Sequence, residues 1–338
     1  MGIPQPSRRC CATLLAMSLP AELSPMLPQA FAQVPADESG WAYEVKFDGF
    51  RALAFCSDGL TRLQSRSLKN MSYFYPELAS LAAAVGRPCL LDGEIVAFNE
   101  EGKPDFERMQ ARTGFFPEEG KHRRPPGLQF PICYQVFDLL YLDDRSLLAL
   151  PYEERRVHLE GLGLVGPHWM VPSIHRGAGG QALLEASRAA GLEGLVAKRL
   201  DSQYLPGQRS VHWRKIKNWC RQEFVIGGYK KDPEGTDGWL GGLMLGCFQN
   251  DELHYAGTVE VGFARETVQA LKELLPRLER PRTLFVNREV EPTHVYLDPV
   301  LVCEAQFLDW SSHGKIRHAS FKGFVLDKDP RAVVRERL

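Results

Sequence analysis

Tyr43-Glu-Val-Lys-Phe-Asp-Gly-Phe-Arg51 contains two short alternating runs divided by an Asp-Gly pair, and it continues as Phe50-Arg-Ala-Leu-Ala-Phe55, Asp58-Gly59 and Leu60-Thr-Arg-Leu63. Alternation with a period of two marks half-buried strands, and Asp-Gly between such runs marks hairpin turns. This stretch is therefore expected to form a strand meander with a turn at each Asp-Gly pair. Working outward, further strands are expected at Cys89–Phe98, Ile132–Tyr141, Gly194–Lys198 and Val211–Ile216. Helices are expected between them, at Tyr73–Val85, Tyr152–Leu162 and Gln181–Ala190, where apolar residues recur at helical spacing and Gly191 closes the last. This part of the chain reads as α+β.

Upstream, Leu23 to Pro35 is a proline-rich lead-in. Downstream of Arg221 the composition shifts to short strands split by Gly and Asp, at Phe224–Tyr229, Gly242–Phe248 and Leu253–Val259. One amphipathic helix is expected from Arg265 to about Leu275, stopped by Pro276, with Val268, Leu271 and Leu275 on one face. Strands at Leu284–Asn287 and Val300–Trp310 follow. The pattern suits a small barrel of the oligonucleotide-binding type, although periodicity alone does not separate that from other small β folds. The expected organisation is an extension over 1–22, a first domain over 23–220 and a second over 221–338.

With 338 residues the chain is long enough for two ordinary domains. Hydrophobic residues at 44% and charged residues at 25% fall in the globular range, so the chain should fold. Lys+Arg 41 against Asp+Glu 42 gives a net charge of -1, so any basic binding surface must be local. Eight cysteines without a C-x-x-C pair argue against a zinc ribbon and a secreted disulfide scaffold, and fit reduced thiols in a cytoplasm. No apolar run reaches the ~20 residues of a membrane span. Arg8 and Arg9 before the apolar run Cys10–Leu19 have the layout of a short leader, but a loose or over-extended N-terminus is the favoured reading.

A lysine such as Lys46 before an Asp-Gly turn is by itself an ordinary solvent-facing residue. The ordered series that follows it changes the reading: Ser65-Arg-Ser67, Leu91-Asp-Gly-Glu94, Val136-Phe-Asp138, Glu193-Gly-Leu-Val-Ala-Lys198 and Trp213-Arg-Lys-Ile-Lys217. Together with Lys46-Phe-Asp-Gly-Phe-Arg51, this series resembles the motifs of the covalent nucleotidyltransferases. It is closest to ATP-dependent DNA ligases of the bacterial end-joining type, because Cys220-Arg-Gln-Glu-Phe-Val-Ile-Gly-Gly-Tyr229 and Ile316-Arg-His-Ala-Ser-Phe-Lys-Gly323 resemble their second domain. The resemblance implies an α+β nucleotidyltransferase domain with ATP-grasp-like antiparallel sheets and helices, followed by an OB-fold β-barrel.

It also implies a chemistry. A lysine at the Lys46 position attacks the α-phosphate of ATP and becomes a lysyl-AMP, which requires the neutral amine. Asp48, Lys215 and Lys217 are grouped with it as catalytic, the two lysines approaching the α-phosphate. Glu44 matches the position that reads the adenine amino group, Phe137 the aromatic that stacks on the base, Arg51 the ribose or nick contact and Arg66 a phosphate contact. Lys198 closes its motif beside the nucleotide. Glu193 is expected to ligate Mg²⁺, with Mn²⁺ as a substitute, and Glu94 to contact ribose or metal.

The implied partner is nicked duplex DNA, gripped through phosphates by Arg62, Arg112, Lys121, Arg123, Arg124 and Arg317. A Ku-type end-binding protein and a repair polymerase are implied further partners, in a cytoplasmic, nucleoid-associated setting with no membrane. An RNA ligase or capping-type nucleotidyltransferase shares the lysine, and a nick-binding module without turnover would keep the pocket shape. An NAD-dependent ligase is disfavoured by the lack of its extra N-terminal domain and four-cysteine zinc site. One departure stands out in Gly323-Phe-Val-Leu-Asp-Lys328: Val325 falls where the family carries an arginine that orients pyrophosphate, while Asp327 and Lys328 are retained.

Overall fold

Alternate residues of the strand Phe50–Ser57 go to different cores. Ala52, Ala54 and Cys56 pack with Leu91, Ile95, Tyr134 and Leu139, whereas Leu53 and Phe55 join Met26, Leu90, Leu140, Tyr204 and Trp213. A strand buried on both faces must lie inside a layered unit. In the computed structural model the chain forms two compact units, one up to Lys217 and one from Asn218. The structure describes residues 19–113, 130–143, 145–232, 239–287, 293–311 and 313–336.

The first unit holds two sheets. One runs in the order Leu27–Phe31, Arg209–Lys217, Gly194–Arg199, Trp41–Val45 and His175–Arg176. The other runs Leu60–Ser65, Phe50–Ser57, Cys89–Ala97, Ile132–Leu142 and Arg145–Ser146, with Trp169–Met170 beside Ile132–Leu142. The helix Gly180–Ala189 covers the outer face of the first sheet, where Leu184 meets Trp41, Tyr43, Leu195, Ala197 and Ile216. The period-two rule then turns Glu44, Lys198, Trp213, Lys215 and Lys217 to the inner face. By the same rule Arg51 shares the face of Leu53 and Phe55, and the register Arg51↔Glu94 puts Glu94 beside it.

The expected meander is corrected here. Asp58-Gly59 is a hairpin, with φ of 51° and 73° at the two turn residues and Phe50–Ser57 paired antiparallel to Leu60–Ser65. Asp48-Gly49 is not: Trp41–Val45 and Phe50–Ser57 belong to different sheets, and the pair carries the chain across from one to the other. Gly49 is needed for proximity, since a Cβ there would lie 2.2 Å from the Ile95 carbonyl oxygen.

The helix expected over Tyr73–Val85 is broken into 3-10 turns at Ser72–Phe74 and Pro76–Leu78 and a short helix Leu81–Val85, because Pro76 cannot continue a helix. The proline-rich lead-in contains a strand, Leu27–Phe31, parallel to Arg209–Lys217; Pro28 is tolerated because the strand lies at the sheet edge.

In the second unit, Cys220–Lys230, Gly242–Gln249 and Glu252–Val259 form an antiparallel meander, the helix Arg265–Leu274 follows, and His294–Phe307 returns to pair with Cys220–Lys230. Ser320–Val325 pairs on the far side of His294–Phe307. Register shifts at Ile226/Gly228, Leu245/Gly246 and Glu304/Ala305 curl the sheet around one core, the expected barrel-like arrangement. The strand expected at Leu284–Asn287 reduces to a single bridge, Leu253↔Phe285, because Phe285 plugs into the core. Among the described residues no helix is long and apolar enough to cross a membrane.

Candidate active site

At the end of Trp41–Val45 the Lys46 backbone N–H donates to the Gly194 carbonyl at 2.9 Å, which sets the lysine beside Glu193. Lys46 Nζ is ion-paired with Glu193 Oε2, and Lys217 Nζ lies 2.9 Å from Glu193 Oε1. Gly194 has φ +139° and a Cβ there would sit 2.1 Å from the Ile216 carbonyl oxygen, so only glycine lets the strands close around Glu193. Burial pushes the Glu193 carboxyl up, but Lys46 and Lys217 outweigh it and hold the group below its usual range. Burial and the neighbouring charges of Lys217, Lys46 and Arg209 pull Lys215 down. Three lysines around one carboxylate leave surplus positive charge, the complement of a polyphosphate.

The second sheet supplies the facing wall. Arg51 forks onto Asp92 at 2.7 and 2.6 Å and donates to the Met26 carbonyl at 3.0 Å. Asp92 is fully buried and also accepts from the Tyr204 hydroxyl at 2.7 Å, so the guanidinium is held rigidly. Glu94, half-buried on the same strand, is pushed up to about 7: burial and the charges of Glu193 and Asp92 raise it more than Lys46 and Arg51 lower it.

At the other end Glu44, 4% exposed, accepts from the Tyr152 hydroxyl on Oε1, and Lys198 Nζ lies 2.8 Å from the same oxygen. Lys198 is enclosed by rings, its Nζ 4.3 Å from the centroids of Phe137 and Trp213 and 4.8 Å from that of Tyr152. Burial lowers the Lys198 pKa against the pull of Glu44 and Asp138. Phe137 stands edge-on to Trp213, and the Arg51 guanidinium lies 4.9 Å from its centroid.

These two ends belong to one cleft, lined by Glu44, Lys46, Arg51, Glu94, Phe137 and Lys198 together with Pro28, Val45, Phe47, Val196 and Trp213. A few charged groups are set among apolar walls, the make-up of a small-molecule site. Among the described residues no group of three or more His, Cys, Asp or Glu side chains forms a metal site. Glu94 and Glu193 are near enough for their charges to interact. A hard cation that takes one or two carboxylates and fills its shell with phosphate oxygens and water suits this donor set.

Other expected residues fall elsewhere. Asp48 is half-buried and Arg66 is exposed beyond Leu60–Ser65, and neither lines the cleft. Arg62 donates to the Ala21 carbonyl at 2.5 Å with its guanidinium 3.9 Å over the Phe55 ring, and Arg317 lies 3.3 Å from Asp309. Arg112 is a correction: it is buried, forked onto Glu77 at 2.5 and 2.6 Å and bonded to the Phe74 and Phe130 carbonyls, so it cannot reach a DNA phosphate. Lys121, Arg123 and Arg124 lie outside the described residues. Sequence reasoning missed Asp92, Tyr152, Tyr204 and Trp213. Asp92 sits inside a quoted motif, and an acid between apolar strand residues was a signal for a buried partner.

The family model for the ATP dependent DNA ligase domain matches residues 25–217, and that for the ATP dependent DNA ligase C terminal region matches 236–328. Multifunctional non-homologous end joining DNA repair protein LigD of Mycobacterium tuberculosis H37Rv is 36% identical over 318 residues, 93% of this chain and 40% of that protein. The chain thus spans less than half of that relative. DNA ligase C1 of Mycolicibacterium smegmatis is 31% identical over 95% of this chain and 96% of its own. A solved mycobacterial DNA ligase D complexed with ATP and MES has 36% identity and a TM-score of 0.54, covering 93% of this chain and 98% of that one. With these matches and a cleft built on the same ordered motifs, the chain belongs to the ATP-dependent DNA ligase family.

Proposed function

We propose that this chain seals 3′-OH/5′-phosphate nicks in duplex DNA, taking AMP from ATP onto Lys46 and passing it to the 5′-phosphate. The observation that carries the reading is the Lys46–Glu193–Lys217 cluster at one end of a cleft whose other end presents Glu44 and Phe137. The adenine stacks on Phe137 with its amino group toward Glu44, and Arg51 faces the ribose. The Lys46 amine, having lost a proton, attacks the α-phosphorus; the P–N bond forms as the bond to the β-phosphate oxygen breaks and pyrophosphate leaves. Lys215 and Lys217 neutralise the charge that develops on the α-phosphate, the main demand of phosphoryl-type transfer. Glu94 and Glu193 would hold Mg²⁺, or Mn²⁺ in its place, which supplies further neutralisation of the phosphates.

Duplex DNA is gripped through its phosphates, with affinity falling steeply as salt rises. Arg62 and Arg317, together with Arg123 and Arg124, are the proposed contacts. The relative named for multifunctional non-homologous end joining supports a role in joining broken ends; a Ku-type protein and a repair polymerase as partners, and a place at the nucleoid, are the further parts of the proposal.

The test is intact mass after incubation with ATP and Mg²⁺. Wild type gains the mass of one AMP, whereas Lys46→Ala and Lys46→Arg do not, because a guanidinium stays protonated. An adduct on either variant, or none on wild type, refutes the proposal. Sealing of nicked DNA against nicked RNA then fixes the substrate.

A further inference from the structure

We infer that Tyr152 is a positioning residue that makes the cleft selective for a base carrying an exocyclic amino group, acting through Glu44; the inference rests on the reading of Glu44 just given. Tyr152 opens the helix Tyr152–Gly161, is fully buried, and is not among the residues lining the cleft. Its effect on a nucleotide must therefore pass through another side chain. That side chain is Glu44, whose Oε1 accepts from the Tyr152 hydroxyl and is ion-paired with the Lys198 ammonium at 2.8 Å.

A hydrogen bond and an ion pair on one oxygen hold the carboxylate plane, which is otherwise free to turn about a broad terminal torsion. Glu44 lines the cleft, and among the described residues Oε2 receives no hydrogen bond. A carboxylate held in this way presents one aimed acceptor. An adenine amino group satisfies it, a guanine carbonyl repels it, and a base with hydrogen at that position leaves it unpaired.

The helix bearing Tyr152 is itself tied to the base-stacking strand. One turn along, Arg155 forks onto Asp138 at 2.9 and 2.8 Å, and Asp138 directly follows Phe137. The same fully buried ion pair thus sets the stacking ring and the hydroxyl that aims Glu44 in one frame.

The test is binding of ATP and of purine riboside triphosphate, which lacks the amino group, by calorimetry on chains carrying Lys46→Ala so that no adduct forms. Tyr152→Phe should weaken ATP by about tenfold, the scale of one hydrogen bond to a charged group, and leave purine riboside triphosphate within about twofold. In a Glu44→Ala background Tyr152→Phe should change neither. Equal weakening of both nucleotides, an unaltered ATP affinity, or a further loss of ATP affinity in the Glu44→Ala background would overturn the inference. Because the readout is binding, failure of the lysyl-AMP reading shows separately, as absence of an adduct on wild type.

Discussion

Gly49→Ala tests whether the position of Lys46, the proposed nucleophile, is set by the close crossing of the two sheets. The new Cβ would stand 2.2 Å from the Ile95 carbonyl oxygen and 3.1 Å from Glu94 Cγ. An unstrained carbon-to-oxygen contact is about 3.3 Å, so something must move by about 1 Å. Ile95 is held in the middle of its sheet, paired with Phe50 on one side and Tyr134 on the other. The crossing segment 46–49 lies between strands, so it is the part that gives, and Lys46 moves away from Glu193. A misplacement of about 1 Å at a reacting group can cost ~100-fold in rate, whereas overpacking of this kind costs about 1–3 kcal/mol in stability. For a unit of this size that loss lowers Tm by roughly 2–12 °C. The assay is single-turnover formation of the AMP adduct beside thermal unfolding. A variant that adenylates within about threefold of wild type would refute the argument, and so would one whose adduct is lost only through global unfolding.

Three other outcomes are expected. Glu94, pushed up by burial to about 7, favours the folded state most below its unfolded value, and that contribution is lost as pH rises toward 7; Glu94→Gln should flatten this part of the stability profile in thermal melts at a series of pH values. Asp138→Ala strands the fully buried Arg155 and should cost about 3–5 kcal/mol, read from denaturant unfolding. Val325→Arg should speed adduct formation and leave sealing of pre-adenylated nicks unchanged, because Val325 cannot donate a hydrogen bond to pyrophosphate; Lys328, 2.7 Å from Glu223, already has an acidic partner. Equal single-turnover rates for the two proteins would show that another group fills the role or that the motif lies elsewhere.

The cleft was legible wherever a residue's role depends on its neighbours along the chain. Glu44, Lys46, Lys198 and Phe137 came from ordered motifs, and all line one cavity. Asp48-Gly49 misled because alternation looks the same on either side of a hairpin and of a passage between sheets; only the distant pairing partners, Gly194–Arg199 and Cys89–Ala97, tell them apart. Tyr152 was invisible for a similar reason, since it is separated from Glu44 by 108 positions and its helical spacing announces nothing but packing. Arg112 carried the wrong expectation because a positive charge reads as surface until Glu77 and two carbonyls are found around it.

The first sheet is split along the chain: Trp41–Val45 lies in it, Phe50–Ser57, Cys89–Ala97 and Ile132–Leu142 build the other, and Gly194–Arg199 and Arg209–Lys217 return to the first. During synthesis Lys46 therefore leaves the ribosome early, but Glu193 and Lys217 follow it by more than a hundred residues. A nascent chain carries Lys46 without the carboxylate and lysine that surround it, and no contiguous fragment ending before Lys217 can assemble the phosphate end of the cleft. Pairing across such separations is slow to form. A product truncated before Lys217 therefore lacks part of the charge cluster around Glu193.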